Sequence, residues 1–325
     1  MTRPQHIPLP DIAKGIGIIL VVFGHVWRGL AEAGLLQKGA VFETVDAAVY
    51  AFHMPLFFVL SGWFFPQLLT RGTAVTFVGR ISQRLFYPLC LWTYIFIAFK
   101  VLAGSAANSP LGLDAFLRWP VPGYLHLWFL WALIVLQLGG LLMRPLVRRW
   151  PVFVALGGMA AAMTVLQSGL WLSPLWHQAL KMAPYFFGGM VLGQFKWPQI
   201  TGGLWVGLGV FVISDIGLIL DVAPRGFAQS SLTVSCVGGL LFALHHLRSE
   251  RPIWAGVQRI GQCSLAIYLC HTILSAGWRI GLVQLGITAV PIHLITGVGI
   301  GVLMPMLWHH HKVSPKIRLV FFGQA

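Results

Sequence analysis

Ten apolar runs, most of them near 20 residues long, leave this chain few ways to fold. They fall at about 12–30, 46–66, 85–103, 125–143, 152–168, 178–195, 202–220, 227–247, 262–281 and 289–308. A helix needs roughly 20 apolar residues to cross a hydrocarbon core, and most of these runs are long enough. The fifth and sixth are shorter and rich in glycine. Charged residues make up only 9% of the 325 positions, against about 25% in a soluble domain. The expected fold is all-α: a polytopic membrane helix bundle of about ten transmembrane helices. It should form one domain over 1–325 with no appended soluble domain, because no loop exceeds about 20 residues.

A formal net charge of +14 could suggest nucleic acid. The basic residues, however, sit in short clusters between apolar runs rather than in one stripe, so they carry topology and imply no nucleic-acid partner. With the N-terminus placed in the cytoplasm, fourteen lysines and arginines fall in cytoplasmic loops. Four fall outside, and four (Lys14, Arg28, Lys100 and Lys181) lie within spans. Lysine and arginine bias loops to the cytoplasm, so both termini are expected inside, with an even number of crossings. The four cysteines lie in or at the edges of spans and form no Cys-x-x-Cys pair. They read as packing residues rather than a disulfide framework.

Ionisable groups inside a membrane are costly and mark functional sites. The segment from Asp11 to His25 at the first span carries three: Asp11, Lys14 and His25. Lys14 and His25 are eleven residues apart, about three turns. They therefore share a face and stand roughly 16 Å apart along the axis. Asp11 lies three residues from Lys14 and suits either an ion pair with it or a cap on the helix N-terminus. The second span holds His53-Met-Pro55 and Ser61-Gly-Trp63. Since it runs the other way, His53 and His25 are expected at similar depth. Pro55 opens the helix locally, and a hydrogen-bonded packing role is the plain alternative for His53.

Arg80 and Arg84 precede the third span. Four residues apart, they suit phosphate contacts from one helix face, or positive-inside anchoring. His126 and Trp128 open the fourth span. Tyr268 and His271 lie in the ninth, and Asp215 is a further intramembrane acid in the seventh. His309-His-His311 cannot ligate one ion from a helix, because adjacent residues do not share a face. Gly203-x-x-x-Gly207 and Gly297-x-x-x-Gly301 are expected at close helix contacts.

Taken together, these motifs resemble acyltransferase family 3, the integral membrane O-acyltransferases. The likeness rests on Asp11-Ile-Ala-Lys14-Gly15 with Gly24-His25, Phe52-His53-Met-Pro-Leu-Phe-Phe58 with Ser61-Gly-Trp63, and Arg84 with Pro88. His126-Leu-Trp128-Phe-Leu130 and Ile267-Tyr268-Leu-x-His271 complete it. They follow the family's order along nearly the whole chain. Lysine at position 14, where many members have arginine, resembles the branch of fucose 4-O-acetylase-like proteins and of the enzyme acetylating rhizobial signalling oligosaccharides. Many members also carry two arginines three apart, whereas Arg80 and Arg84 are four apart.

The resemblance implies a multi-pass protein of the bacterial cytoplasmic membrane. It would transfer an acyl group, usually acetyl from acetyl-CoA as co-substrate, to a hydroxyl of a sugar, oligosaccharide or surface polysaccharide. No permanently bound cofactor or metal is implied, and glycan-synthesis proteins are possible partners. His25 would be base or nucleophile, with Lys14, Asp11 and His53 beside it. Arg84, Arg80, Lys14 and Ser61 would hold acyl-CoA, and His126, Trp128, His271 and Tyr268 the acceptor. Two other classes fit parts of the pattern. A transporter or flippase of a glycan or lipid-linked sugar would also use intramembrane charge and a proline-broken helix. A haem protein would use His25, His53 and His271 as axial ligands.

Overall fold

The computed structural model describes residues 9–118, 125–224, 226–247, 252–310 and 321–323. Among them there are helices and no strands. Each of the ten apolar runs is helical: α1 (Leu9–Glu32), α2 (Ala40–Thr70), α3 (Ala74–Ala106), α4 (Trp128–Leu142), α5 (Pro151–Gln167), α6 (Pro174–Leu192), α7 (Gly203–Ile219), α8 (Phe227–His245), α9 (Ser264–Gln284) and α10 (Val290–His310). Six of these, α1, α2, α3, α8, α9 and α10, are long and apolar enough to cross a membrane. The chain is a multi-pass membrane protein. Arg3, Arg225, Arg248, Arg251, Lys312, Lys316, Arg318 and His311 lie outside the described residues, as do the side chains of Arg118, His309 and His310.

Local chemistry sets several helix ends. Pro151 and Pro174 start α5 and α6, where a missing N–H costs nothing and φ is already helical. The Thr73 hydroxyl accepts from the Thr76 N–H at 3.2 Å, a side-chain cap. It starts α3 well before the expected 85. Within α3 the backbone widens into a π-helical turn over Ser82–Phe86. A further helix, Pro252–Gln262, falls between the eighth and ninth apolar runs and lies along α1.

Helix α1 sits at the centre, against α2, α8, α9, α10 and the Pro252–Gln262 helix. Its contact with that helix depends on glycine. A Cβ on Gly261 would strike the Asp11 carbonyl, and one on Gly15 would strike the Val257 carbonyl. The α2–α6 contact is reciprocal in the same way: Gly62 faces the Phe186 carbonyl and Gly189 the Val59 carbonyl. Both GxxxG motifs lie at helix contacts, Gly207 against Gly239 and Ala243 of α8 and Gly301 against Ser275 and Val22. Small residues give backbones this close approach in a bilayer, where the hydrophobic effect does not drive helices together. The end of the described chain packs back too. Trp92 Nε1 donates to the Phe321 carbonyl at 2.8 Å, and Phe322 is buried beside the Trp92 ring.

Gly189→Val should therefore separate α2 from α6. Overpacking of this kind costs about 1–3 kcal/mol, and the melting temperature of the purified protein should fall clearly. Gly209→Ala, where an added Cβ meets nothing within 4 Å, is the control and should leave it unchanged. Equal behaviour of the two variants would contradict this packing.

Candidate functional site

His25, His53, His126 and His293 line one cavity, and His271 packs against His25 and His126 behind it. His25 comes from α1, His53 from α2, His126 from the 3₁₀ turn before α4, and His271 from α9. Three form a triangle: ring centroids are 5.1 Å apart for His25–His271, 5.5 Å for His25–His126 and 5.3 Å for His126–His271. His271 is 0% exposed and His126 8%, while His25 keeps a partly open edge on the cavity.

Neighbours fix the two enclosed rings. His271 Nδ1 lies 2.9 Å from the Ile267 carbonyl one turn earlier. The Tyr268 hydroxyl donates to the His126 backbone carbonyl, tying α9 to the turn that starts α4. The Nε2 atoms of both His126 and His271 are buried without a partner. Buried polar groups are nearly always paired, so two orphans on adjacent rings call for an explanation. Among the described residues no cluster of histidine, cysteine and carboxylate side chains has the geometry to hold a metal ion.

The cavity, about 590 Å³, runs from His25 towards the C-terminal end of α1. Its floor is His25, His126 and Tyr268; its wall includes His53, Met54, Trp128 and Gln178; its rim carries Arg28, Glu32, Lys100, Asn108 and Arg279. The rim is cross-tied. Arg28 pairs with both carboxylate oxygens of Asp46 at 2.6 Å, and its guanidinium carbon lies 3.2 Å from the Tyr50 ring centre. Arg279 donates to the Gly29 carbonyl and, at 2.7 Å, to Asn108 Oδ1. Asn108 Nδ2 donates to Glu32 at 3.1 Å. Polar side chains around an apolar wall suit a ligand with several hydroxyl groups.

The structure brings some of the sequence-predicted site residues together and leaves others apart. His25, His53, His126, Trp128 and Tyr268 line the cavity, and the fully buried His271 packs against His25 and His126 behind its floor. The nearest rings to His25 are His126 and His271, whereas His53 packs edge-on to Tyr50, with Nδ1 2.5 Å from the Val49 carbonyl. Asp11 and Lys14 form an ion pair at 2.8 Å near the start of α1, and Gln262 reaches Asp11 at 3.4 Å. They lie outside the cavity, separated from His25 by the packed Ile18 and Val22.

Ser61 is half-buried on α2, also away from it. Arg80 donates to the Arg71 and Thr76 carbonyls, while Arg84 is exposed in the π-helical turn. That turn begins between the two arginines, so they do not share one α-helical face. Arg144 joins Arg71 and Arg80 at this end by donating to the Gly72 carbonyl at 2.5 Å. Asp215 on α7 buries Oδ1 without a partner, also outside the cavity.

A family described as an acyltransferase domain, acyltransferase family 3, matches residues 8–308. The chain belongs to acyltransferase family 3. Two nodulation proteins NolL are similar to it. That of Sinorhizobium fredii is 33% identical over 133 residues, 38% of this chain and 33% of the relative. That of Mesorhizobium japonicum is 29% identical over 127 residues, 38% of this chain and 32% of the relative. The matched stretch thus spans about a third of each relative. No solved structure matches.

Within this family member, sequence reasoning missed the rim groups Arg28, Glu32, Asn108 and Arg279, and Asp46 and Tyr50, which hold Arg28. The signal was present, since Arg28 is one turn from His25 and Arg279 two turns from His271, on the same faces. The Tyr268 hydroxyl is the buried link between α9 and the His126 turn. Tyr268→Phe leaves that carbonyl without its donor, an expected cost of about 1–3 kcal/mol. It should lower the melting temperature in detergent while the protein still inserts. An unchanged melting temperature would remove this link from the account.

Proposed function

We propose that this protein is a membrane O-acyltransferase. It takes an acyl group, acetyl as the default, from cytoplasmic acyl-CoA and places it on a hydroxyl of a sugar or oligosaccharide. In this reading ten helices cross the bacterial cytoplasmic membrane, both termini lie inside, and the cavity opens outward. The observation that carries the proposal is the partly open His25 on the floor of the cavity, backed by two buried imidazoles, in a chain of this family.

His25 acts as general base on the acceptor hydroxyl, a task that suits imidazole because its ordinary pKa lies near 6.5. The hydroxyl oxygen attacks the thioester carbonyl carbon as His25 takes its proton. The new C–O bond forms, the C–S bond breaks, and the departing thiolate takes up the proton, so CoA leaves as its thiol. Trp128, Gln178 and the rim polar groups hold the sugar. At the opposite end, Arg84 and Lys14 meet the CoA phosphates. The Lys14-to-His25 rise of roughly 16 Å suits the extended pantetheine arm. Ile18 and Val22 lie on that path, so donor entry requires α1 to part from its neighbours there. Lys14, the form that resembles the branch acetylating rhizobial signalling oligosaccharides, favours an oligosaccharide acceptor.

Transfer of radiolabel from acetyl-CoA to glycan tests this directly. His25→Ala should leave the protein inserted but reduce transfer by at least about 100-fold, the lower end of a general-base contribution. Near-normal product would remove His25 from the chemistry. Arg84→Ala should raise the acyl-CoA concentration needed for half-maximal rate about tenfold, the scale of one charge-assisted phosphate contact. An unchanged requirement would leave Arg84 as a topology anchor. Transport of glycan without label would favour a flippase.

A further inference from the structure

We propose that His271 is a positioning residue whose Nε2 accepts the N–H of His25, fixing the tautomer in which the other ring nitrogen of His25 faces the cavity as base; this rests on the acyltransfer reading above. The inference begins with a hydrogen bond. A backbone carbonyl can only accept, so the 2.9 Å contact from His271 Nδ1 to Ile267 puts the proton on Nδ1. In the neutral ring, Nε2 is then a bare lone pair. It is fully buried, and no donor reaches it. A buried acceptor without a donor is costly, and a specific orphan of this kind calls for an explanation.

The His25 ring is the neighbour that can supply the proton. It stands 5.1 Å from His271 by centroid; His126, at 5.3 Å, already bonds through its ring to the Tyr268 backbone. At this centroid separation two ring nitrogens that face each other lie in hydrogen-bonding range, and His25 borders the cavity on its other side. The same logic orders hydrolase triads, in which a base is oriented by a third group bonded to its far nitrogen. There the orienting group is a carboxylate. Here Glu32 is the carboxylate lining the cavity, but it sits on the rim two turns beyond His25 and is engaged by Asn108. The lone pair of a carbonyl-tethered imidazole takes that place, without bringing a second charge into the bundle.

Two variants separate this role from a substrate contact. Asparagine at 271 keeps a donor near the Nδ1 position but has no atom at Nε2; glutamine can place its carbonyl oxygen near Nε2. In full-length protein in liposomes, transfer from labelled acetyl-CoA to glycan extracted from cells lacking the protein should lose about 100-fold in kcat with His271→Asn. KM for acetyl-CoA should stay within about twofold, since no ground-state contact is lost. His271→Gln should recover most of kcat. Equal loss in both variants, or a raised KM at unchanged kcat, overturns the proposal.

A second readout needs no acyl transfer: the rate at which diethylpyrocarbonate modifies His25, read by peptide mass spectrometry. It should slow about tenfold in His271→Asn and return towards wild type in His271→Gln, following the orientation of the ring's free nitrogen. Unchanged reactivity in His271→Asn, or slowing in His271→Gln, contradicts the dyad. If wild-type protein transfers no label, the acyltransferase reading fails while this readout still decides the dyad. If His271→Asn does not assemble, His271→Gln against wild type carries the decision.

Discussion

Polar side chains inside a membrane bundle have no water to turn to, so they must find one another. In this protein that constraint produces the contact of His25, His126 and His271, at centroid distances of 5.1–5.5 Å. The rest of the architecture serves the contact. Helix α1 is central because glycines let neighbouring backbones close on it, Gly15 facing Val257 and Gly301 of α10 facing Val22. Helix α9 brings His271 and, through the Tyr268 hydroxyl, holds the turn that presents His126. The Arg28–Asp46 pair and the Arg279–Asn108–Glu32 chain tie the rim above.

The two ends of the molecule then have different chemistry. One end gathers Arg71, Arg80, Arg84 and Arg144 around the α2–α3 connection and suits phosphate. The other opens as a cavity with an aromatic wall and a polar rim, and suits a sugar. The histidines lie between. Under the proposed acyl transfer, the first end takes the donor and the second the acceptor. Membership of acyltransferase family 3 over residues 8–308 gives this geometry its chemical meaning.

Much of the fold was legible because hydrophobic runs in membrane proteins map onto helices almost directly. The Pro252–Gln262 helix escaped because its polar residues, Gln258, Arg259 and Gln262, break the apolar run on which that reading depends. The π-helical turn at Ser82–Phe86 has no sequence signal of its own, so Arg80 and Arg84 were expected on one α-helical face. At the site, each histidine was visible as a costly residue. Which of them meet was not. His25 was expected beside His53 because their helices are consecutive, whereas its ring neighbours come from residues 126 and 271, contacts fixed only by tertiary packing.

The central claim is that an acyl group from CoA reaches the histidine floor of this cavity. Photo-crosslinking tests it most directly, using an acyl-CoA analogue with a diazirine at the acyl end and full-length protein in liposomes, followed by peptide mapping. Label on residues lining the floor, such as His25, His126 and Tyr268, competed away by acetyl-CoA, is the predicted result. Competable label confined to the Trp63–Trp197 pocket at the other end of the bundle, with none on the floor, would contradict it.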